Sequence, residues 1–222
     1  MTRIAPEIPA FRRQILRWFR REGRDLPWRR TRDPYHVLVS EFMLQQTQVA
    51  RVTEYYPRFL ERYPTVHALA GAAPHQVREM WQGLGYYRRA ANLHRLAQLV
   101  VDQHGGVIPA DAEVLRGLPG VGRYTAGAVA TFAFEQRLPA VDTNVSRVIR
   151  RAFHPRASGT AGEHRIWATG ATLVPRAGSA AWSFNQGIME LGALICTARI
   201  AHCGVCPVKR VCRTGKKVKG ER

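Results

Sequence analysis

A chain of 222 residues with 45% hydrophobic side chains is not disordered, and it is long enough to bury a core as one large domain or two interlocked small ones. Thirty-four lysines and arginines against 16 acids give a formal net charge of +18, which predicts a polyanionic partner. Each phosphate that a cation neutralises releases condensed counterions, so nucleic acid is the expected class.

Residues 8–23 place Phe11, Ile15, Trp18 and Phe19 between arginines at helical spacing, an amphipathic helix. Leu26-Pro27-Trp28-Arg29 breaks it, and Pro34 opens a second helix from about Tyr35 through Gln48. Helical stretches are expected near 49–62, 66–70, 74–81 and 87–103, punctuated by Pro64, Pro74 and Gly83-Leu84-Gly85. A short helix near 111–116 leads to the turn Leu118-Pro119-Gly120-Val121-Gly122 and a helix over 123–134. Helices near 143–152, 162–173 and 182–195 precede a cysteine-rich segment. No sustained alternating pattern marks a strand, so the fold class is all-α. No apolar run of about 20 residues could span a membrane, and Arg12, Arg13, Arg17 and Arg20 interrupt any signal-peptide core. A cytoplasmic, nucleoid-associated protein is expected. Residues 213–222 form a basic tail, of which Gly215 to Arg222 is expected to be disordered.

The stretch from Leu118 to Arg151 concentrates the chemistry. Gly120 and Gly122 in a turn entering a helix let backbone N–H groups approach an anion, with Arg123 beside them. Arg147, Arg150 and Arg151 could hold further phosphate, and a lone carboxylate, Asp142, lies between the two groups. All four lysines, Lys209, Lys216, Lys217 and Lys219, come late, so none before Lys209 is available for Schiff-base chemistry. All four cysteines fall in one pattern, Cys196-x6-Cys203-x2-Cys206-x5-Cys212. In a reducing compartment such crowding argues for a metal rather than disulfides, and the spacing alone leaves zinc and iron–sulfur both open.

The cysteine pattern, preceded by Leu118-Pro119-Gly120-Val121-Gly122 and a downstream Asp, resembles the endonuclease III superfamily of helix-hairpin-helix DNA glycosylases. That resemblance implies one 4Fe–4S cluster on Cys196, Cys203, Cys206 and Cys212, with Arg199 presented to a DNA phosphate. Ser40-Glu41-Phe42-Met43-Leu44-Gln45-Gln46-Thr47-Gln48 narrows the likeness to the adenine (MutY-type) branch. So do Leu26-Pro27-Trp28-Arg29, Trp81-x-Gly83-Leu84-Gly85-Tyr86-Tyr87-x-Arg89-Ala90 and Phe184-Asn185-Gln186-x3-Glu190-Leu191-Gly192-Ala193. The likeness runs from about residue 11 to 212.

It implies a monofunctional glycosylase of base excision repair acting on mismatched double-stranded DNA, expected to be a monomer, that hydrolyses the N-glycosidic bond of adenine opposite 8-oxoguanine or guanine. Glu41 would protonate adenine N7 and later activate water, its apolar helix face (Leu38, Phe42, Leu44) raising its pKa. Asp142 would stay ionised and stabilise the sugar cation. Tyr124 occupies the position of the Schiff-base lysine in bifunctional relatives and cannot form an imine. Arg29, Gln186 and Glu190 would hydrogen-bond the extruded base, while Gln46 and Tyr86 would fill or wedge the vacated stack. Set against these roles, Asp142 could be a plain helix N-cap, Glu41 a surface ion-pair residue, Arg29 a phosphate contact, Gln186 a helix cap, and Tyr86 a core aromatic.

The expected domains are residues 28–134, a six-helix barrel with the helix-hairpin-helix, and 1–27 plus 135–212, the cluster lobe. MutY-type relatives carry a C-terminal Nudix-like domain, which this chain, ending shortly after Cys212, is expected to lack. Thr143 stands where many relatives have glycine. Excision of thymine opposite guanine or of hypoxanthine, and a non-catalytic iron–sulfur DNA-binding protein, are the competing expectations.

Overall fold

The computed structural model describes residues 7–217, which form eleven α-helices and three short 3-10 turns. They are α1 (Glu7–Glu22), α2 (Pro34–Leu44), α3 (Val49–Arg62), α4 (Val66–Ala70), α5 (Pro74–Met80), α6 (Arg88–His104), α7 (Ala112–Arg116), α8 (Arg123–Phe134), α9 (Thr143–Phe153), α10 (Gly159–Leu173) and α11 (Gly178–Leu194). The described residues contain no strand, only an isolated bridge between Cys196 and Ala201. The all-α expectation therefore holds. The expected disorder from Gly215 onward does not hold at its start, where Gly215–Lys217 form a 3-10 turn with Gly215 buried, and residues 218–222 lie outside the described residues.

The chain divides into two compact units, one of residues 25–134 and one of residues 1–24 with 135–222. In the first, α2 and α8 are the central helices. Residues 37–43 of α2 and 125–132 of α8 are all buried, so neither has a polar face. Small side chains make this possible in α8, whose run Thr125-Ala126-Gly127-Ala128 lets neighbours approach closely on every side. Phe42, Phe59, Trp81, Leu93, Leu96 and Leu115 fill the same unit, with Phe59 and Trp81 edge-to-face at 5.7 Å. Asp33 caps α2, accepting hydrogen bonds from the backbone N–H groups of Tyr35 and His36.

The second helix departs from its expected extent. It ends at Leu44 rather than reaching Gln48, because Gln46 turns into the left-handed region at φ 56°. A helix cannot continue through that conformation.

The second unit packs α1 along α11 and α11 along α9 around Phe11, Ile15, Ile149, Phe153, Phe184 and Ile188. Phe11 and Phe153 meet edge-to-face at 5.0 Å. Asn185 is fully occupied inside it: Ala140 N–H donates to its Oδ1 at 3.0 Å, and its Nδ2 donates to the carbonyls of Leu138 and Ala181. The irregular segment leading to Asp142 is thereby pinned to α11.

Candidate active site and cluster loop

In the unit of residues 25–134, Glu41 sits near the end of α2 at 4% exposure, and the Tyr124 hydroxyl donates to its Oε2 at 2.7 Å. The surface ion-pair alternative for Glu41 fails on that burial. Tyr124 belongs to the first turn of α8, directly after the glycine turn, so the turn that enters α8 also aims the tyrosine at the carboxyl. Gln45 reaches the same helix, its Nε2 lying 3.5 Å from Thr125 Oγ1.

The turn itself is built on Gly120, at φ 78°. A Cβ there would meet Phe42 Cε1 at 2.9 Å and Asn92 Cβ at 3.0 Å, so both conformation and space require glycine. Leu118 and Val121 are buried beneath it, while Gly122 and Arg123 are exposed, with open space where a Cβ of Gly122 would stand. Backbone here can be approached from solvent, as an anion at a helix N-terminus requires.

Gln46 and Tyr86 are both exposed, Tyr86 at 61%, which excludes a core role for that tyrosine. Both hold left-handed backbone, at φ 56° and 48°, unusual for residues with side chains. Arg29 closes the 3-10 turn Pro27–Arg29 and is half-buried, next to Trp28, which packs on Tyr56.

In the other unit, Asp142 is the N-cap of α9. Its Oδ1 accepts from Val145 N–H at 2.6 Å and its Oδ2 from Asn144 Nδ2 at 3.0 Å. Burial nevertheless pushes its pKa up, against the lowering effect of these donors and of Arg147. The expectation of an easily ionised capping aspartate thus meets an opposing force that the sequence did not reveal. Capping is real here, and so is an anion short of solvation. Thr143, the first residue of α9, is exposed.

Glu190, 1% exposed on α11, is gripped by Arg24. The Arg24 Nε donates to Oε1 at 2.6 Å, Nη2 to Oε2 at 3.0 Å, and the Arg24 N–H to Oε1 at 3.1 Å. Arg24 was not singled out from the sequence, where it is one arginine among many. Gln186, one turn earlier on the same helix, is also buried.

The four cysteines line one largely apolar pocket together with Val148, Leu191 and Val208. Burial and the neighbouring sulfurs push the Cys206 thiol up to about 11. Among the described residues, no three His, Cys, Asp or Glu side chains converge on a single ion position. Donors are aimed at the sulfurs: Arg151 Nη1 lies 3.3 Å from Cys196 Sγ, and Gly215 N–H 3.3 Å from Cys212 Sγ. Such donors favour thiolate, the form that ligates metal. Four thiols around one pocket with N–H groups on the sulfurs fit an iron–sulfur group.

Arg147 and Arg151 are spent on the protein. Arg147 donates to the carbonyls of Cys196 and Gly192 and to Asn144 Oδ1, and Arg151 to the carbonyls of Thr197 and Ala198. These bonds hold the loop on which Arg199 is exposed. Gly192 must be glycine, because a Cβ would stand 2.7 Å from Asn144 Cβ.

The sequence and the fold are similar to those of known proteins. Residues 39–166 match the model of the HhH-GPD superfamily base excision DNA repair protein. The chain is 48% identical to the adenine DNA glycosylase of Mycobacterium tuberculosis over 87% of its own length and 64% of that protein. It is 45% identical to the adenine DNA glycosylase of Rattus norvegicus over 96% of its length and 43% of that protein. It therefore spans between two fifths and two thirds of the length of these relatives. Its fold superposes on a thermostable thymine-DNA glycosylase with a TM-score of 0.88 and 32% identity, covering 96% of this chain and 98% of the other. With Glu41, Tyr124, the glycine turn and Asp142 all inside the matched region, the chain belongs to the HhH-GPD superfamily of base excision DNA repair proteins, on its adenine-glycosylase, MutY-type side.

Proposed function

We propose that this protein is a monofunctional DNA glycosylase that excises adenine mispaired with 8-oxoguanine or guanine in double-stranded DNA. The observation that carries the reading is the buried Glu41 carboxyl bonded to the Tyr124 hydroxyl at 2.7 Å. Glu41 gives its proton to adenine N7 as the N-glycosidic bond breaks and the bond electrons leave with the base. The sugar becomes an oxocarbenium-like cation, and the part-buried Asp142 carboxylate, poorly solvated in the free protein, is the counter-charge for it. Water then attacks C1′ while the Glu41 carboxylate accepts its proton, leaving an abasic site. Tyr124 keeps Glu41 oriented and offers no amine, so no imine forms and the strand stays intact.

Arg29, Gln186 and Glu190 are the groups assigned to the extruded base, with Arg24 fixing the orientation of Glu190. Gln46 and Tyr86 project into the stack that the base vacates. Gly120, Gly122, Arg123 and Arg199 grip the phosphates. Cys196, Cys203, Cys206 and Cys212, which line one pocket, would hold one 4Fe–4S cluster as thiolates. The cluster is assigned to loop architecture, not to hydrolysis. Action as a monomer on chromosomal DNA, in the cytoplasm, completes the reading.

The test is single-turnover base release from A·8-oxoguanine, A·G, T·G and hypoxanthine·T duplexes, followed by alkali. Release of adenine, with strand breaks only after alkali and none with Glu41→Gln, is expected. Release of thymine or hypoxanthine alone, or wild-type cleavage by Glu41→Gln, would overturn the assignment.

A further inference from the structure

The loops that carry Gln46 and Tyr86 share an anchor that neither motif reveals. Arg89, in the first turn of α6, is 7% exposed, and its two terminal nitrogens together reach both loops. Nη1 donates to the carbonyl oxygens of Phe42 at 2.9 Å and Met43 at 2.7 Å, and to that of Gln45. Nη2 donates to Thr47 Oγ1 at 2.9 Å and to the carbonyls of Leu84 at 3.0 Å and Gly85 at 3.1 Å. The guanidinium carbon lies 5.4 Å from the Trp81 ring centroid and 5.6 Å from that of Tyr86.

The acceptors bracket the two exposed side chains. Gln45 and Thr47 flank Gln46, and Leu84 and Gly85 immediately precede Tyr86. Both loops run through left-handed backbone, at Gln46, Gly83, Gly85 and Tyr86. A non-glycine residue persists there only when its surroundings over-determine it. The carbonyls at the end of α2 have no partner within the helix and carry its negative pole, so a buried cation is the natural acceptor-filler. A planar fork spreads four N–H bonds over these six acceptors, with some N–H groups shared between neighbouring oxygens. A lysine presents one ammonium and cannot span them.

We propose that Arg89 is a positioning residue that joins the Gln46 and Tyr86 loops into one rigid two-pronged edge before DNA arrives. The cost of ordering these loops then falls on folding rather than on opening the base stack. This inference rests on the reading of Gln46 and Tyr86 as the side chains that enter the stack. Arg89 acts through them and touches no substrate.

The experiment uses the full chain and a duplex with 2-aminopurine beside the target adenine. Single-turnover base release, the fluorescence rise on binding and thermal melting are measured for wild type, Arg89→Lys, Gln46→Ala/Tyr86→Ala and the triple combination. Arg89→Lys is expected to slow base release on the order of 100-fold, as a misplacement of about 1 Å does. It should also flatten the fluorescence rise. Added to the Gln46→Ala/Tyr86→Ala pair it should change neither quantity further. Thr47→Ala, which removes one Nη2 acceptor at a half-buried position, should shift both in the same direction by a smaller factor, and it carries the test if Arg89→Lys does not fold. An equal loss on adding Arg89→Lys to the pair variant, or an undiminished fluorescence rise in Arg89→Lys or in Thr47→Ala, overturns the proposal. A wild-type chain that releases no adenine would sink the substrate assignment instead, and the fluorescence comparison would still decide the role of Arg89.

Discussion

Replacing Asp142 by Asn should separate stability from chemistry. The amide keeps an oxygen for Val145 N–H, the 2.6 Å bond that starts α9, and Asn caps as well as Asp does. It loses the acceptor for Asn144 Nδ2 and the attraction of Arg147, at a cost of roughly 1.5–3 kcal/mol for a hydrogen bond to a charged group. Against that it removes a carboxylate whose burial already outweighs its donors, so the net change in folding stability should be within about 2 kcal/mol. The pH dependence has a definite sign. Because the folded pKa lies above the ordinary 3.8, the folded state binds this proton more tightly than the unfolded state does. Wild-type stability therefore falls as pH rises from near 3.8 through the raised folded value, and the cost is fully present above that value. Relative to Asp142→Asn, the wild type should gain stability as pH falls through that window. Base release should drop by at least 10²–10³, about 2.7–4 kcal/mol, the scale of losing one preorganised charge-stabilising group. Thermal melts from pH 3 to 8 and single-turnover cleavage read both quantities. A loss of well over 2 kcal/mol, a wild-type advantage that shrinks on acidification, or near-normal cleavage would refute this account.

Four other substitutions test the remaining parts. Tyr124→Phe removes the donor to Glu41 and should slow base release about 10- to 100-fold, corresponding to roughly 1.5–3 kcal/mol for a hydrogen bond to an ionisable partner; unchanged single-turnover rates would show that Glu41 needs no help from it. Arg24→Met takes the main partner from a carboxylate that is 1% exposed, whereas Glu190→Gln leaves a cation that is 35% exposed and can be hydrated. In chemical denaturation Arg24→Met should cost about 3 kcal/mol and Glu190→Gln distinctly less, since an uncompensated buried charge is the dear part; the reverse order would contradict the geometry. Cys203→Ser should lose the visible absorption of an iron–sulfur cluster and weaken duplex binding in a titration at fixed salt; a colourless wild type, purified anaerobically with iron, would remove the cluster from the reading.

The helices were legible because punctuation and periodicity are local. Proline and glycine mark the ends of α3 through α6 within a residue or two, and even Pro57 inside α3 does not displace its limits, Val49 and Arg62. α10 and α11 start a few residues before the expected 162 and 182, because Gly159 and Gly178 open helices whose first turns carry little apolar signal. Glu41, Tyr124, Asp142 and the cysteines stood out because each belongs to a spaced motif.

What the sequence could not show is which arginine does what. In a chain this rich in arginine the residue type carries almost no information, and partners separated by 40 to 170 residues leave no local trace. Only the tertiary structure assigns Arg24 to Glu190, Arg147 and Arg151 to the loop after Cys196, and Arg89 to the carbonyls that end α2 at Leu44. The sequence by itself determined most of the helices and set the four cysteines and the carboxyls of Glu41 and Asp142 in spaced motifs, because both follow from short-range pattern. Tertiary structure decided the burial of Glu41, the strained exposure of Gln46 and Tyr86 and the raised pKa of Asp142, because desolvation and charge compensation depend on neighbours that only packing supplies.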